Sequence, residues 1–75
     1  MTYNSKAFGT AVSRLRTQKG LSQENLSAFA GIARSHLTQL ENGKKIPRLD
    51  TVFRLADALG ISPSGLIELA EAESG

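Results

Sequence analysis

Four glycines divide this chain into short segments whose apolar residues repeat with a helical period. Each glycine follows such a segment, at the position where a left-handed residue commonly ends a helix. These glycines are Gly20, Gly31, Gly43 and Gly60. No segment alternates polar and apolar residues for long enough to indicate a strand. The spacing therefore predicts an all-α fold built from five short helices.

The predicted helices form one domain over residues 1–75, with a core from about residue 5 to about residue 71. They run from about Ser5 to Lys19, Gln23 to Ala30, Ala33 to Asn42 and Leu49 to Leu59, and from Ser62 onward. In the fourth helix, the positions that fit an inner apolar face are Leu49, Val52, Phe53, Ala56 and Leu59.

Composition excludes several classes of protein. The chain has no cysteine, which excludes disulfide scaffolds, zinc fingers and thiol nucleophiles, and its single histidine makes a poor basis for a metal site. No nucleophile–base pair or phosphate-binding loop is visible, so we expect no catalysis, no cofactor and no small-molecule ligand. Neither a membrane-spanning apolar run nor a signal-peptide core is present, so we expect a cytoplasmic protein without membrane contact.

The charge of the chain is unevenly distributed. The net charge of +2 combines a balance of +6 over residues 1–48 with a balance of −4 over residues 49–75. A basic half predicts an anionic partner. Clustering by chance on a solvated surface is the alternative, and charge alone does not separate the two interpretations.

The stretch from Gln23 to Asn42 carries the clearest functional signal. It predicts two short helices joined by a sharp turn, in which Gly31 can adopt a positive φ. The outer face of the second helix lacks carboxylates, whereas an ordinary solvated face mixes acidic and basic residues. Such a face suits entry into a DNA groove, and it carries Arg34, Ser35, Thr38 and Gln39.

Several short motifs follow one another in a fixed order along the chain. They are Gly20 to Glu24, Gly31-Ile32, Leu40 to Lys44, Pro47, and Leu55 to Ile61. Together they resemble the phage-repressor/Cro-like (XRE-type) helix-turn-helix family, from about Phe8 to Leu69. The resemblance implies a five-helix lambda-repressor-like domain that regulates transcription by binding double-stranded DNA.

The resemblance also implies roles for individual residues. Base edges in the major groove would be read by Arg34, Ser35, Thr38 and Gln39. Phosphates would be bound by Gln23, Asn42, Lys44, Lys45 and Arg48, and Gln23 would also brace the recognition helix. Arg16 and Glu41 would form a buried ion pair that holds the fold and takes no part in binding.

Several positions depart from the family pattern, among them Ser27, Asn25, Ala33, Arg48 and Phe29. Ser27 replaces a smaller apolar residue, so we expect its hydroxyl to bond a backbone carbonyl one turn back. Ala33 provides no side-chain cap for the third helix. Arg48 stands where a cap for the fourth helix is usual, and we interpret it as directed at phosphate or a narrow minor groove.

The last helix has a broader apolar face than one side of a short helix needs. We interpret the excess as a homodimer interface for a palindromic operator, the alternative being that all of it packs within the monomer. The residues concerned are Ile61, Leu66, Ile67, Leu69 and Ala70.

The resemblance implies a nucleoid-associated repressor, or a regulator of the restriction–modification controller type, which stand-alone domains of this size also resemble. The alternative function is a protein-interaction module such as an antitoxin. In that case Phe29 and the face of the last helix would matter more than Arg34 and Gln39.

Overall fold

The computed structural model describes residues 4–74 of the chain. These residues form five α-helices and no strand: α1 (Ser5–Gln18), α2 (Gln23–Ala30), α3 (Arg34–Glu41), α4 (Leu49–Ala58) and α5 (Pro63–Ser74). The predicted five-helix all-α fold is confirmed, and the predicted ends of α1 to α4 and the predicted start of α5 lie within one residue of the observed ones. Helix α5 continues to Ser74, past the predicted end of the core near residue 71. Residues 1–3 and 75, the ends of the predicted domain, lie outside the described residues. None of the helices within residues 4–74 has the length and apolarity needed to cross a membrane.

The helices begin in two different ways. The Ser22 hydroxyl caps α2 by accepting a hydrogen bond from the backbone N–H of Asn25 at 3.0 Å. Ala33 and Arg48 precede α3 and α4 without a side-chain cap, as the sequence predicts. The helix that carries the proposed base-reading residues therefore depends on tertiary packing more than on its own N-terminal cap.

The core draws on all five helices. Its largest completely buried side chains are Phe8, Leu26, Leu37, Leu40, Leu55, Leu59, Leu66 and Val12. Ser27 is a polar residue at the edge of this core, and its hydroxyl donates to the backbone carbonyl of Glu24 at 3.0 Å. The hydrogen bond predicted for Ser27 is thus present, and no buried side-chain polar atom among the described residues lacks a partner.

The inner face of α4 differs from the prediction. Leu49 is 73% exposed and Phe53 is 54% exposed, whereas Leu55 is completely buried. The prediction was wrong for Leu49 and Phe53 because two overlapping helical stripes share Val52 and Ala56. Packing against α2 and α5 selects the stripe that contains Leu55.

The predicted dimer face on α5 is also smaller than expected. Leu66 is completely buried in the monomer core, so the structure contradicts its assignment to an interface. Ile61 and Ala70 are partly buried against the same core. Two residues of the predicted set remain exposed, Ile67 at 41% and Leu69 at 39%.

The crossing of α1 and α3 brings two backbones into direct contact. Gly9 is buried in the interior of α1, and a Cβ atom there would overlap the carbonyl oxygens of Leu40 and Glu41. The same atom would lie 2.8 Å from the carbonyl carbon of Glu41. A glycine at this position therefore sets how closely α3 packs against the rest of the domain.

Candidate nucleic-acid interface

The turn between α2 and α3 is set by backbone hydrogen bonds and a glycine. Gly31 has a φ of 71°, in the left-handed region that favours glycine. The N–H of Ile32 donates to the carbonyl oxygen of Ser27 at 3.0 Å, which closes the end of α2. Leu26 and Leu37, one from each helix, are completely buried beneath this turn. Their burial holds α2 and α3 at a fixed angle.

Helix α3 presents one polar face to solvent. Leu37 and Leu40 hold its opposite face in the core. Three of the four predicted base-reading side chains are exposed, namely Arg34, Ser35 and Gln39, and the fourth, Thr38, is half-buried. The hydrogen-bonding side chains of α3 thus lie along one exposed ridge. Because its opposite face is buried, the helix cannot rotate without opening the core.

An ion pair lies behind α3. The Arg16 Nε and Nη2 atoms donate to the two carboxylate oxygens of Glu41 at 2.8 Å and 3.0 Å. Only 16% of the Arg16 side chain and 5% of the Glu41 side chain is exposed. Arg16 Nη1 also donates to the carbonyl oxygen of Leu21 at 2.9 Å. The ion pair predicted from the resemblance is present, and it ties α1 to the end of α3 and to the segment before α2.

Gln23 extends this ion pair from the end of α3 to the middle of the same helix. Its Nε2 atom donates to Glu41 Oε1 at 2.9 Å, and its Oε1 atom accepts from the Thr38 hydroxyl at 3.0 Å. The bracing contact predicted for Gln23 is therefore present. The bond to Thr38 was not predicted, because it joins residues 15 positions apart that share no local pattern.

The loop after α3 is anchored to α1. Gly43 has a φ of 75°, and a Cβ atom there would lie 2.8 Å from Lys6 Cα. The Ser5 hydroxyl donates to the Gly43 carbonyl oxygen at 3.2 Å. Beyond this anchor the predicted phosphate-binding cations of the loop are all exposed: Lys44, Lys45 and Arg48. Asn42, which ends α3, is exposed as well.

A shallow groove of about 360 Å³ joins the face of α3 to this loop. It is lined by Ser35, His36, Gln39, Lys45, Ile46 and Arg48. Ile46 is 75% exposed and was not among the predicted site residues. The sequence did offer a signal for Ile46, because an isoleucine between Lys45 and Pro47 lies in a loop, where it has no core to pack into. An apolar side chain there can pack on sugar carbons or a thymine methyl group while its neighbours hold phosphate.

Two exposed arginines have acidic neighbours. Arg48 Nε lies 3.6 Å from Asp50 Oδ1, but both side chains are largely exposed, so a phosphate can compete for the guanidinium. Arg14 pairs with Glu73 at 3.3 Å, which joins α1 to α5. Lys45 and Arg48 of the basic loop line the same groove as Ser35 and Gln39 of α3, so exposed cations adjoin the polar face of this helix.

Comparison with known proteins places this architecture in a family. The model of the HTH_3 family, described as helix-turn-helix, matches residues 12–66. The chain belongs to this helix-turn-helix family. The matched range contains α2, the turn, α3 and α4, and it confirms the resemblance inferred from the sequence motifs.

Relatives within the HTH_3 family include transcriptional regulators and control proteins. The uncharacterized HTH-type transcriptional regulator y4dJ of Sinorhizobium fredii is 40% identical over 62 residues, which are 83% of this chain and 80% of that protein. Control protein C.BamHI of Bacillus amyloliquefaciens is 31% identical over 62 residues, or 81% of this chain and 76% of that protein.

A solved structure in the same group has a closely similar fold. The restriction-modification controller protein C.AhdI from Aeromonas hydrophila is 38% identical, with a TM-score of 0.82. The superposition covers 87% of this chain and 98% of C.AhdI.

Proposed function

We propose that this protein is a sequence-specific DNA-binding transcriptional regulator that places α3 in the major groove. The observation that carries the proposal is the carboxylate-free exposed face of α3, held by the Arg16–Glu41 network and continued by a basic loop. Arg34 and Gln39 have the side-chain chemistry for bidentate recognition of guanine and adenine. The protein would bind DNA in the cytoplasm, in association with the nucleoid, and would catalyse no reaction.

Phosphate contacts would surround the base-reading face. Lys44, Lys45 and Arg48 supply positive charge on the loop side. On the other side, Gln23 Nε2 gives one of its two hydrogens to Glu41, which leaves the second for a phosphate oxygen. This arrangement is consistent with the predicted phosphate-binding set and would fix the position of α3 on the duplex.

The protein would bind a palindromic operator as a homodimer. A single domain of this type contacts only about 600–1,000 Å² of DNA, which is small for tight specific binding. Of the predicted interface, Ile67 and Leu69 retain exposed apolar surface, with Ile61 and Ala70 partly exposed beside them. Leu69 borders a groove of about 240 Å³ between α1 and α5, into which a second copy can pack.

The relatives make a repressor or a restriction–modification controller the best-supported role. One relative of 31% identity and one structure of 38% identity carry names of control or controller proteins. A protein-interaction module is the second candidate. It is favoured by two exposed aromatic side chains, Phe29 on α2 and Phe53 on α4, which lie outside the proposed DNA face.

We expect the protein to bind duplex DNA with an affinity that falls by about 10³-fold between about 50 and 200 mM salt. Three loop cations in each of two subunits give about six phosphate contacts, each of which releases a counterion. Fluorescence anisotropy with labelled duplexes measures the decrease, and selection from random duplex DNA identifies the operator. Absence of salt-dependent binding would favour the interaction module.

A matched pair of variants separates base reading from phosphate binding. The Arg34→Ala substitution should relax base preference at one position, whereas Lys44→Ala should weaken binding to all sequences alike. Equal effects of the two substitutions on every sequence would contradict the proposed division of roles.

We expect a charge on the exposed part of α5 to disrupt the dimer. Ile67 and Leu69 lie about 200° apart around the helix, so they occupy opposite flanks of α5. An aspartate at the flank used for dimerisation would bury an unpaired charge. Sedimentation of Ile67→Asp and Leu69→Asp should show about half the parent mass for at least one variant. If both variants sediment like the parent, the α5 interface is wrong.

A further inference from the structure

The Thr38 hydroxyl faces two oxygen atoms that can only accept hydrogen bonds. Its Oγ1 atom lies 3.0 Å from Gln23 Oε1 and 3.1 Å from the backbone carbonyl oxygen of Arg34. A hydroxyl has one proton and two lone pairs. The proton is therefore donated within the protein, and within residues 4–74 no side chain donates to Thr38 in return.

The orientation of the Gln23 amide follows from its other neighbour. Gln23 Nε2 lies 2.9 Å from Glu41 Oε1, and Arg16 donates to both oxygens of that carboxylate. An ionised carboxylate only accepts, so the reverse amide orientation would set two acceptors face to face. The Arg16–Glu41 pair thus orients the Gln23 amide with its oxygen toward Thr38, so both atoms within hydrogen-bonding distance of the Thr38 hydroxyl are acceptors.

We propose that Thr38 is a specificity-determining residue that contacts DNA only as a hydrogen-bond acceptor. This inference rests on the proposed function, in which α3 lies in the major groove. Exocyclic amino groups, adenine N6 and cytosine N4, are the donors exposed there. Guanine O6 and thymine O4 are acceptors, and the Thr38 hydroxyl has no further proton to donate to them. Donation of this proton within the protein also polarises the hydroxyl and strengthens it as an acceptor.

The test compares two variants of Thr38, one without the hydroxyl group and one without the methyl group. Thr38→Val keeps the shape and the methyl group but removes the oxygen, and Thr38→Ser keeps the hydroxyl but removes the methyl group. Selection from random duplex DNA with the parent and with Thr38→Val identifies the base pair at which preference relaxes. At that pair, the adenine is replaced by purine, or the cytosine by pyrimidin-2-one, each of which lacks only the amino group.

We expect loss of the amino group to weaken parent binding by about fivefold, the effect of one hydrogen bond. The affinity of Thr38→Ser should decrease by the same factor when the amino group is removed. The affinity of Thr38→Val should change by less than about twofold, since this variant has no acceptor for the amino group. Phe53→Ala is the control, because it changes an exposed residue outside the proposed DNA face and should keep the fivefold response. Thermal unfolding followed by circular dichroism checks that each variant is folded.

Other outcomes overturn the inference. Equal weakening of parent and Thr38→Val, or an unchanged selected site for Thr38→Val, would show that the hydroxyl does not read the base. A preference lost in Thr38→Ser and kept in Thr38→Val would assign the contact to the methyl group. In those cases salt-dependent binding by the parent still supports the proposed function, whereas no binding by the parent would overturn both.

Discussion

Replacing Glu41 with alanine is expected to lower the free energy of unfolding by about 3–5 kcal/mol. The substitution leaves the Arg16 guanidinium, whose side chain is 16% exposed, without the carboxylate that accepts two of its hydrogen bonds. It also removes the acceptor that orients Gln23. A domain of this length has a total stability of only about 4–11 kcal/mol, so the substitution would remove a large part of it. Urea unfolding followed by circular dichroism measures the loss.

The chain contains a matched control for this experiment. The Arg48–Asp50 pair joins side chains that are 85% and 59% exposed, so Asp50→Ala should be nearly neutral for stability. A second control, Arg16→Met combined with Glu41→Leu, removes both charges and should recover a large part of the stability lost in Glu41→Ala. If Glu41→Ala were as mild as Asp50→Ala, the buried ion pair would not hold α1, α2 and α3 together.

The Gly9→Ala substitution is expected to destabilise the fold by about 3 kcal/mol, near the upper end for overpacking a core. On intrinsic propensity alone, alanine in a helix interior is favoured over glycine by about 1 kcal/mol. The expected sign is reversed because the added methyl group would overlap the backbone of Leu40 and Glu41. Backbone atoms cannot rotate away, so α3 would have to move from α1. Thermal unfolding of parent and variant measures the difference.

Gly65 provides the control for Gly9. It also lies within a helix, but a Cβ atom there would meet side-chain atoms of Ile61 and Ser62 at 3.0 Å, and these can move. We expect Gly65→Ala to change stability by less than about 1 kcal/mol in either direction. A stabilising effect of Gly9→Ala would mean that α1 and α3 are less closely packed than the structure indicates. Because α3 carries the proposed base-reading face, residual folded Gly9→Ala should also bind DNA less tightly.

The elements of the fold were predictable because their signals are local. Glycine at the end of a segment, Ser22 before α2 and a helical repeat of apolar residues each act over one or two turns. The predicted bounds of α1 to α4 and the predicted start of α5 consequently lie within one residue of the observed ones. The missing caps at Ala33 and Arg48 and the hydrogen bond of Ser27 were predictable for the same reason, since each depends on neighbours in the chain.

The candidate site was predictable only as a set of residues. The polar face of α3 and the basic loop follow from the sequence pattern and the family resemblance, and the exposure of these residues agrees with a role at the surface. The role of each in DNA binding stays a prediction. The Thr38–Gln23 bond was not predicted, because it depends on where separate segments meet. The exposed Ile46 was missed although its place between Lys45 and Pro47 is a local signal.

The sequence by itself determined which segments are helical, where they end and which short turn joins α2 to α3. Tertiary structure alone decided which of two apolar stripes of α4 is buried, and that Leu66 belongs to the core while Ile67 and Leu69 stay exposed. It also decided that a glycine is required at position 9. The physical reason is that capping and periodicity act within a few residues, whereas burial depends on which face the other helices cover.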